Sequence, residues 1–278
     1  MKWLCAGRQL DLSEPLIMGI VNVTPDSFSD GGRYAGTPEA IAHGLELLEQ
    51  GADILDIGGE STRPGAAEVT EQEELERVIP VVEALAKTGA VISVDTSKAG
   101  VIREAVKAGA HIINDVRALQ EPGALEAAAQ TNAGICLMHM QGTPATMQKN
   151  IAYSDLLQEV ERFLLDRAQC AQSAGIARER ICQDYGFGFG KTVDQNFELL
   201  ANTDYFARLP YPILVGLSRK SSLGAVVGRD VSDRLIASVT GALIAAQRGA
   251  GIVRVHDVAA TRDAFKIWHM TVSKTHKD

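Results

Sequence analysis

The feature that most constrains the fold of this chain is a series of eight short apolar runs, each followed by a segment of helical character. The runs start about 20 to 45 residues apart, a spacing that one strand–helix unit fills. They are LIMGIVN, DILDIGG, VISVDTS, HIINDV, GICLMHM, RICQDYG, ILVGLSR and GIVRVHD. The intervening segments, such as KAGVIREAVKAGA, carry apolar residues at three- and four-residue intervals, as amphipathic helices do. Strands that alternate with helices predict a parallel sheet.

Two architectures bury parallel strands on both faces: a closed TIM (β/α)₈ barrel and a doubly wound open sheet. Eight units within 278 residues favour the barrel. No linker or low-complexity tract interrupts the sequence, so we expect one α/β domain over residues 1–278. We predict Thr37 as the N-cap of the first helix, with Pro38 at its first position and Gly51 just beyond its end. Residues 141–155 are predicted to form a long loop on the face of the barrel where the carboxyl ends of the strands meet.

The composition excludes several classes of protein. A formal net charge of −8 argues against a nucleic-acid partner, because phosphates require a basic face. No apolar run approaches the roughly 20 residues of a membrane helix, and the first ten residues lack the apolar core of a signal peptide. The four cysteines form no CxxC pair, and two of them lie in apolar strand-like runs that call for a small hydrophobe, which favours structural or incidental cysteines over a disulfide framework or a metal site. We therefore expect a cytoplasmic protein that does not bind membranes.

Each apolar run ends in a polar residue, and a barrel would place these residues around its C-terminal rim. They are Asn22, Asp56, Asp95, Asn114, His139, Asp184, Ser218 and His256. Any one of them could simply cap the following helix or shape a turn. Eight together predict an active site.

The charged residues around this rim fall into two chemical groups. Asp56, Asp95 and Asp184 with Asn114 suit a flat heterocycle that offers N–H groups, since a carboxylate can accept two parallel hydrogen bonds. The cationic group suits phosphate or carboxylate. It comprises Arg63, Arg219, Lys220, Arg254 and His256.

Common catalytic and phosphate-binding motifs are missing from the sequence. DYGFGFGKT fails the phosphate-loop spacing, because Tyr185 stands where the first glycine would be. There is no HExxH and no GxSxG around a serine. A Mg²⁺ ion shared between Asn22 and a substrate pyrophosphate stays open, because magnesium often relies on substrate oxygens and few protein ligands.

Eight motifs, in order from Met18 to about Val258, resemble the dihydropteroate synthase family. They are MGIVNVTPDSFSDGG, GGESTRPGAAEV, ISVDTSK, IINDV, LMHMQGTP, GFGFGK, LSRKS and VRVHDV. The resemblance implies a TIM barrel that forms homodimers. It also implies an enzyme that joins p-aminobenzoate to 6-hydroxymethyl-7,8-dihydropterin pyrophosphate, with Mg²⁺, and releases pyrophosphate.

The resemblance also implies roles for individual residues. Those expected to bind the pterin are Asp95, Asn114, Met138, Asp184, Phe189, Gly216, Lys220 and Arg254. Those expected to bind the pyrophosphate are Asn22, Arg63, Arg254 and His256, with Asn22 also a metal ligand. Those expected to bind p-aminobenzoate are Phe28, Thr62, Arg63, Pro64 and Ser221, with the stretch around Phe28 closing over both substrates. Asp95, Asp184, Lys220, Arg254 and His256 are expected to be catalytic.

One position departs from the family pattern. Tyr185 follows Asp184 where the family usually has proline, so we expect a slightly softer loop in which Asp184 keeps its role.

Three other functions are weighed. They are a corrinoid-linked methyltransferase on a similar pterin-binding barrel, an aldolase that uses Lys220 as a Schiff base, and a pterin-binding module without turnover. The arginine-bearing STRPG loop argues against the methyltransferase.

Overall fold

The computed structural model describes residues 1–23, 36–61, 68–143 and 146–272, which contain ten strands and ten α-helices. The strands are β1 (Lys2–Cys5), β2 (Arg8–Asp11), β3 (Leu16–Asn22), β4 (Ile54–Gly58), β5 (Val91–Asp95), β6 (Ile112–Asp115), β7 (Gly134–Met138), β8 (Ile181–Asp184), β9 (Ile213–Val215) and β10 (Ile252–Val255). The helices are α1 (Thr37–Glu49), α2 (Glu71–Ala86), α3 (Ala99–Lys107), α4 (Ala124–Ala129), α5 (Leu156–Ser173), α6 (Val193–Ala201), α7 (Thr203–Ala207), α8 (Ser221–Val227), α9 (Leu235–Gln247) and α10 (Val258–Val272).

The eight strands β3 to β10 form a closed parallel barrel. Each pairs with the next along the chain, and β10 closes the barrel by pairing with β3. Every apolar run of the sequence becomes one barrel strand. The predicted TIM (β/α)₈ barrel is therefore confirmed, and the open-sheet alternative is excluded.

The interior of the barrel changes from apolar at its base to polar at its mouth. Each strand contributes one buried residue to an apolar cluster at the base: Met18, Ile54, Val91, Ile112, Cys136, Cys182, Leu214 and Ile252. Because side chains alternate along a strand, the next inward position lies two residues further on. On four strands that position holds Asp56, Asn114, Asp184 or Arg254. The polar groups thus lie directly above an apolar floor.

The antiparallel hairpin of β1 and β2, which the sequence did not predict, covers the apolar base. Trp3 and Cys5 are fully buried in the basal cluster, and the Trp3 indole N–H donates to the Arg180 carbonyl over 2.9 Å. A Cβ at Gly134 would lie 2.5 Å from Cys5 Sγ, so the hairpin fits only because β7 begins with glycine. Cys5 is a free thiol, as are Cys136 and Cys182. Cys136 and Cys182 act as small buried hydrophobes, as predicted for the two cysteines in apolar runs, whereas Cys170 is exposed.

The first barrel helix corrects two sequence predictions, those for Thr37 and Pro38, and confirms the one for Gly51. Gly36, rather than Thr37, is the N-cap of α1, and no side chain caps the helix. Thr37 is the first helical residue and Pro38 the second. Proline is tolerated there because the backbone N–H groups of the first turn have no partner within the helix. Gly51 lies just past the helix in the left-handed region, with φ +96°.

Two further features bear on sequence predictions. The segment between β7 and α5 forms a long connection, as expected, and its Met147 is buried beside Met138. Among the helices of the described ranges, none combines the length and apolar character needed to cross a membrane.

Candidate active site

The centre of the barrel mouth is an ionic cluster built around Arg254. Its guanidinium extends from β10 across the mouth, where Nε donates to Asp56 over 2.6 Å and an Nη donates to Asp95 over 2.8 Å. Asn114 Nδ2 donates to the same Asp56 oxygen over 3.1 Å. Four strands therefore bring two carboxylates, one amide and one guanidinium into direct contact.

Burial determines the electrostatics of this cluster. It raises the pKa of Asp95 to about 7, although the Arg254 guanidinium opposes that shift. Burial by itself would lower the pKa of Arg254, but the charges of Asp56 and Asp95 outweigh this effect and raise the pKa above the ordinary arginine value. Arg254 therefore remains a cation at every relevant pH.

This arrangement differs from the expected division into an anionic and a cationic group. Arg254 belongs to both groups, because it is bound to the carboxylates of the anionic one. Asp56, which the sequence places in the anionic group but to which the resemblance assigns no role, is fully buried at the centre of the cluster. Its inward position on β4, two residues above the basal Ile54, is the sequence signal that marks it.

A second group forms where β8 and β9 end. Asp184 Oδ1 accepts from the Gly186 amide over 2.7 Å, and Lys220 Nζ lies 4.4 Å from the ring centroid of Phe189. A Cβ on Gly216 would lie 3.6 Å from the Arg254 Cβ and 4.0 Å from Asp184 Oδ2. Gly216 therefore lies between this group and the Arg254 cluster.

Asp184 and Lys220 influence each other's protonation. Burial raises the pKa of Asp184, and the Lys220 charge opposes the rise. Burial lowers the pKa of Lys220 to about 8, and the Asp184 charge opposes the fall. A desolvated lysine of lowered pKa is what the aldolase alternative requires, so the lysine itself does not exclude that alternative.

An apolar wall lies beside these polar groups. Met138 and Phe189 pack with Val116 and Met147 in one buried cluster. An adjoining pocket of about 210 Å³ opens at Met138. Its walls are formed by Val116, Arg117, Gln120, Glu121, Met138, Met140, Gly142 and Thr143. A planar ligand held by the carboxylates would have an apolar surface to contact.

The structure places the other predicted residues as follows. Asn22 is the half-buried last residue of β3, and His256 follows β10, where its Nδ1 lies 3.0 Å from Ser218 Oγ. Ser221 is the exposed first residue of α8, next to Lys220. Phe28, Thr62, Arg63 and Pro64 lie outside the described residues.

Two residues expected at the rim have other contacts. The side chain of Arg219 makes a two-pronged ion pair with Asp257, with distances of 3.1 and 2.5 Å. His139 is buried outside the barrel wall, where its ring packs edge-on against Phe163 and its Nδ1 lies 3.0 Å from Lys191 Nζ. Met138 faces inward, so the next residue along the strand must face outward.

Tyr185, the departure from the family pattern, is a buried anchor. Its ring is fully buried with its centroid 5.4 Å from that of Phe206, and its hydroxyl lies 3.1 Å from Thr203 Oγ1. The side chain therefore ties the start of the loop after β8 to α7. The loop is held there by side-chain contacts, where proline would instead restrict the backbone. The side chain of Asp184 still bonds Gly186 within that loop.

Comparisons with known proteins agree with this fold. The family model described as "Pterin binding enzyme" matches residues 18–256. The dihydropteroate synthase of Haemophilus influenzae is 54% identical over 274 residues, which cover 98% of this chain and 100% of the relative.

Solved structures give the same result. The Xanthomonas albilineans dihydropteroate synthase with 4-aminobenzoic acid superposes with a TM-score of 0.92 at 52% identity, over 99% of each chain. The Burkholderia cenocepacia enzyme complexed with 7,8-dihydropteroate superposes with a TM-score of 0.90 at 48% identity, over 98% of this chain and 96% of that one. This chain belongs to the pterin-binding enzyme family and, within it, to the dihydropteroate synthases.

Proposed function

We propose that this enzyme condenses p-aminobenzoate with 6-hydroxymethyl-7,8-dihydropterin pyrophosphate, giving 7,8-dihydropteroate and pyrophosphate, with help from Mg²⁺ and a cationic cluster. The observation that carries this proposal is the Arg254 cluster at the barrel mouth, with two carboxylates bound to one guanidinium. Relatives crystallised with 4-aminobenzoic acid and with 7,8-dihydropteroate support the choice of substrates.

The pterin would bind over the apolar floor, with its N–H groups toward the carboxylates. Asp95 and Asp184 would accept from the ring edge together with Asn114, and Asp56 would hold Arg254 in place. Three carboxylates, those of Asp56, Asp95 and Asp184, lie on this side of the mouth. Such a site favours a ring that gains positive charge during the reaction.

The pyrophosphate would leave toward the cationic side of the mouth. When the C–O bond breaks, its electron pair goes to the pyrophosphate oxygen and positive charge is left on the pterin methylene. Arg254 and His256, with Arg63 from beyond the described residues, would bind the departing anion. The neutral amine of p-aminobenzoate then forms the C–N bond and afterwards loses a proton.

A magnesium ion fits the one oxygen donor expected to hold it. The Asn22 carboxamide ends β3 at the mouth, and magnesium commonly uses one or two protein oxygens together with substrate phosphates. When bound there, Mg²⁺ would neutralise charge on the leaving pyrophosphate. Among the described residues, no cluster of three His, Cys, Asp or Glu side chains forms a protein-only metal site.

The p-aminobenzoate would lie above the pterin. Ser221, exposed beside Lys220, would contribute to its pocket together with Phe28, Thr62, Arg63 and Pro64. Because the aryl amine is already nucleophilic when neutral, this pocket needs to orient it rather than deprotonate it.

The enzyme is also proposed to act as a homodimer. Helix α9 packs against both α8 and α10, and the outer surfaces of this part of the chain expose large apolar side chains. They are Val226, Val227, Val231, Leu235, Ile236, Ile267 and Met270. An exposed apolar surface of this kind typically marks a protein interface. Light scattering should give twice the monomer mass, and a monomer at micromolar concentration would contradict the dimer.

A cytoplasmic location stays a prediction.

A coupled assay of pyrophosphate release tests the proposed reaction. We expect release to need the pterin pyrophosphate, p-aminobenzoate and Mg²⁺ together, because the cation and the leaving group must both be stabilised. Release that does not depend on p-aminobenzoate would contradict the condensation. Pterin binding without any release would favour the non-catalytic module, and full activity in the presence of a chelator would contradict the role of Mg²⁺.

A further inference from the structure

We propose that Lys191 is a positioning residue for the pterin side of the site. Its buried ammonium holds the loop of residues 185–190 in the shape that fixes Phe189 and Lys220. The proposal rests on the proposed function, because it assumes that Phe189 and Lys220 contact the pterin. Lys191 itself lies behind the loop and is not proposed to touch substrate.

Every donor of the Lys191 ammonium has a partner. Nζ donates to the carbonyl oxygens of Gly186 over 2.9 Å and Phe189 over 2.8 Å, and lies 3.0 Å from His139 Nδ1. A lysine ammonium has three protons, which these three acceptors can take, and the His139 carbonyl oxygen lies further away, 3.5 Å from Nζ. The residue is 3% exposed. Burial lowers the pKa of Lys191 to about 7, with the Asp184 charge opposing the fall. The charged form is therefore kept only where its hydrogen bonds are satisfied, and its partners are held firmly in place.

His139 is suited to act as the third acceptor. Burial lowers the pKa of His139 far below its usual value, with the Lys191 charge adding to the fall, so the imidazole is neutral. A neutral imidazole with its proton on Nε2 accepts at Nδ1. His139, which follows its strand but faces away from the barrel mouth, thus has a role as a partner of Lys191.

The loop of residues 185–190 belongs to no helix or strand, and one backbone bond, from the Phe189 amide to the Gly186 carbonyl over 3.1 Å, closes a turn within it. Gly186, Gly188 and Gly190 all have positive φ, at +70°, +85° and +65°. A Cβ at Gly186 would overlap the His139 carbonyl oxygen, so the loop backbone lies directly against the loop after β7.

Each of the five successive carbonyl oxygens of residues 186–190 accepts a hydrogen bond from a side chain. Lys191 bonds the first and the fourth, those of Gly186 and Phe189. The other three, of Phe187, Gly188 and Gly190, accept from Lys220, Gln148 and Tyr153. Lys191 is the only one of these donors, within the described residues, that bonds two carbonyls. Lys191 therefore reinforces the turn that the backbone bond from the Phe189 amide to the Gly186 carbonyl closes, and fixes the spacing between these two residues together with it.

This spacing bears directly on the site. Lys220 Nζ donates to the Phe187 carbonyl over 2.5 Å and lies 4.4 Å from the Phe189 ring centroid, so both of these contacts come from the segment that Lys191 spans. The Lys191 charge also helps to limit the rise in the pKa of Asp184. Loss of Lys191 would release Phe189 and Lys220 together.

The test replaces Lys191 with methionine, which keeps the chain length and removes the charge and the donors. Pterin affinity is measured by calorimetry, and KM for each substrate by pyrophosphate release. We expect the pterin Kd and KM to rise about tenfold or more, as when a supporting hydrogen-bond partner behind a binding site is lost. KM for p-aminobenzoate should change less than twofold. Lys107→Met is the matched control, because Lys107 is 69% exposed and pairs with Glu104 on its own helix.

Three outcomes decide the question. A rise in pterin Kd for the folded variant, with a normal control, supports positioning. A lower melting temperature with unchanged pterin Kd overturns it and leaves Lys191 a purely structural residue. If Lys191→Met fails to fold, Lys191→Gln, which keeps an N–H donor, replaces it, and an unchanged pterin Kd in that variant overturns the proposal. Wild-type protein that binds no pterin would contradict the proposed function instead.

Discussion

Arg254→Ala is expected to lower kcat/KM for the pterin pyrophosphate by about 10²- to 10³-fold, the loss seen when one preorganised donor to a developing anion is removed. The structure gives a second reason for a large effect. Arg254 is bound by both Asp56 and Asp95, so its loss leaves two buried carboxylates without their cation. A steady-state assay of pyrophosphate release measures the change.

The same variant should lose stability in a pH-dependent way. Breaking a buried ion pair typically costs about 3–5 kcal/mol, because a charge remains without a partner. Burial raises the pKa of Asp95 from 3.8 to about 7 even with Arg254 opposing, and removal of Arg254 should raise it further. A carboxyl group with a raised folded-state pKa supplies stability below its unfolded pKa and loses it as the pH rises through the folded one. The Tm deficit should therefore be larger at pH 8 than at pH 5.

A matched control is available on the surface. Arg248 is 45% exposed and pairs with the exposed Asp204 over 3.5 Å, so Arg248→Ala should leave both activity and Tm nearly unchanged. Near-normal turnover of Arg254→Ala would refute the role of Arg254 in binding the pyrophosphate. A Tm deficit equal at both pH values would show that the carboxylates do not depend on this guanidinium.

The barrel could be predicted because its strands are uniform. Each strand is buried on both faces, so each appears in the sequence as an unbroken apolar run, and eight of them can close. The hairpin of β1 and β2 was missed for the opposite reason. Only Trp3 and Cys5 are buried in β1, so four residues give too short an alternation to distinguish a strand from a loop.

The site was predicted less completely than the fold, because the end of an apolar run does not show which way a side chain faces. Counting in steps of two from the basal residues Ile54 and Cys136 gives Asp56 and Met138 as inward positions. The same count places His139 outside. The pairing of Arg219 with Asp257 could not be foreseen, because two cationic neighbours on one loop look alike in sequence.

Asp184→Asn is expected to weaken pterin binding by about 10- to 100-fold, in line with the roughly 1.5–3 kcal/mol of a hydrogen bond to a charged group. Asparagine can keep the bond from the Gly186 amide, which Asp184 Oδ1 accepts over 2.7 Å. Its other terminal atom then becomes an NH₂ donor that faces an N–H of the ligand. Calorimetry with a pterin at pH 7 measures the affinity.

A second effect of this substitution separates loss of charge from loss of shape. The Asp184 charge opposes the burial that lowers the pKa of Lys220 to about 8, so removing it should lower that pKa further. Pterin binding by the variant should then weaken at a lower pH than in the wild type as Lys220 loses its proton. Asp155→Asn is the control, because the Asp155 side chain caps α5 through the Gln158 amide and asparagine caps equally well. Undiminished pterin affinity in Asp184→Asn would refute the contact between this carboxylate and the ligand.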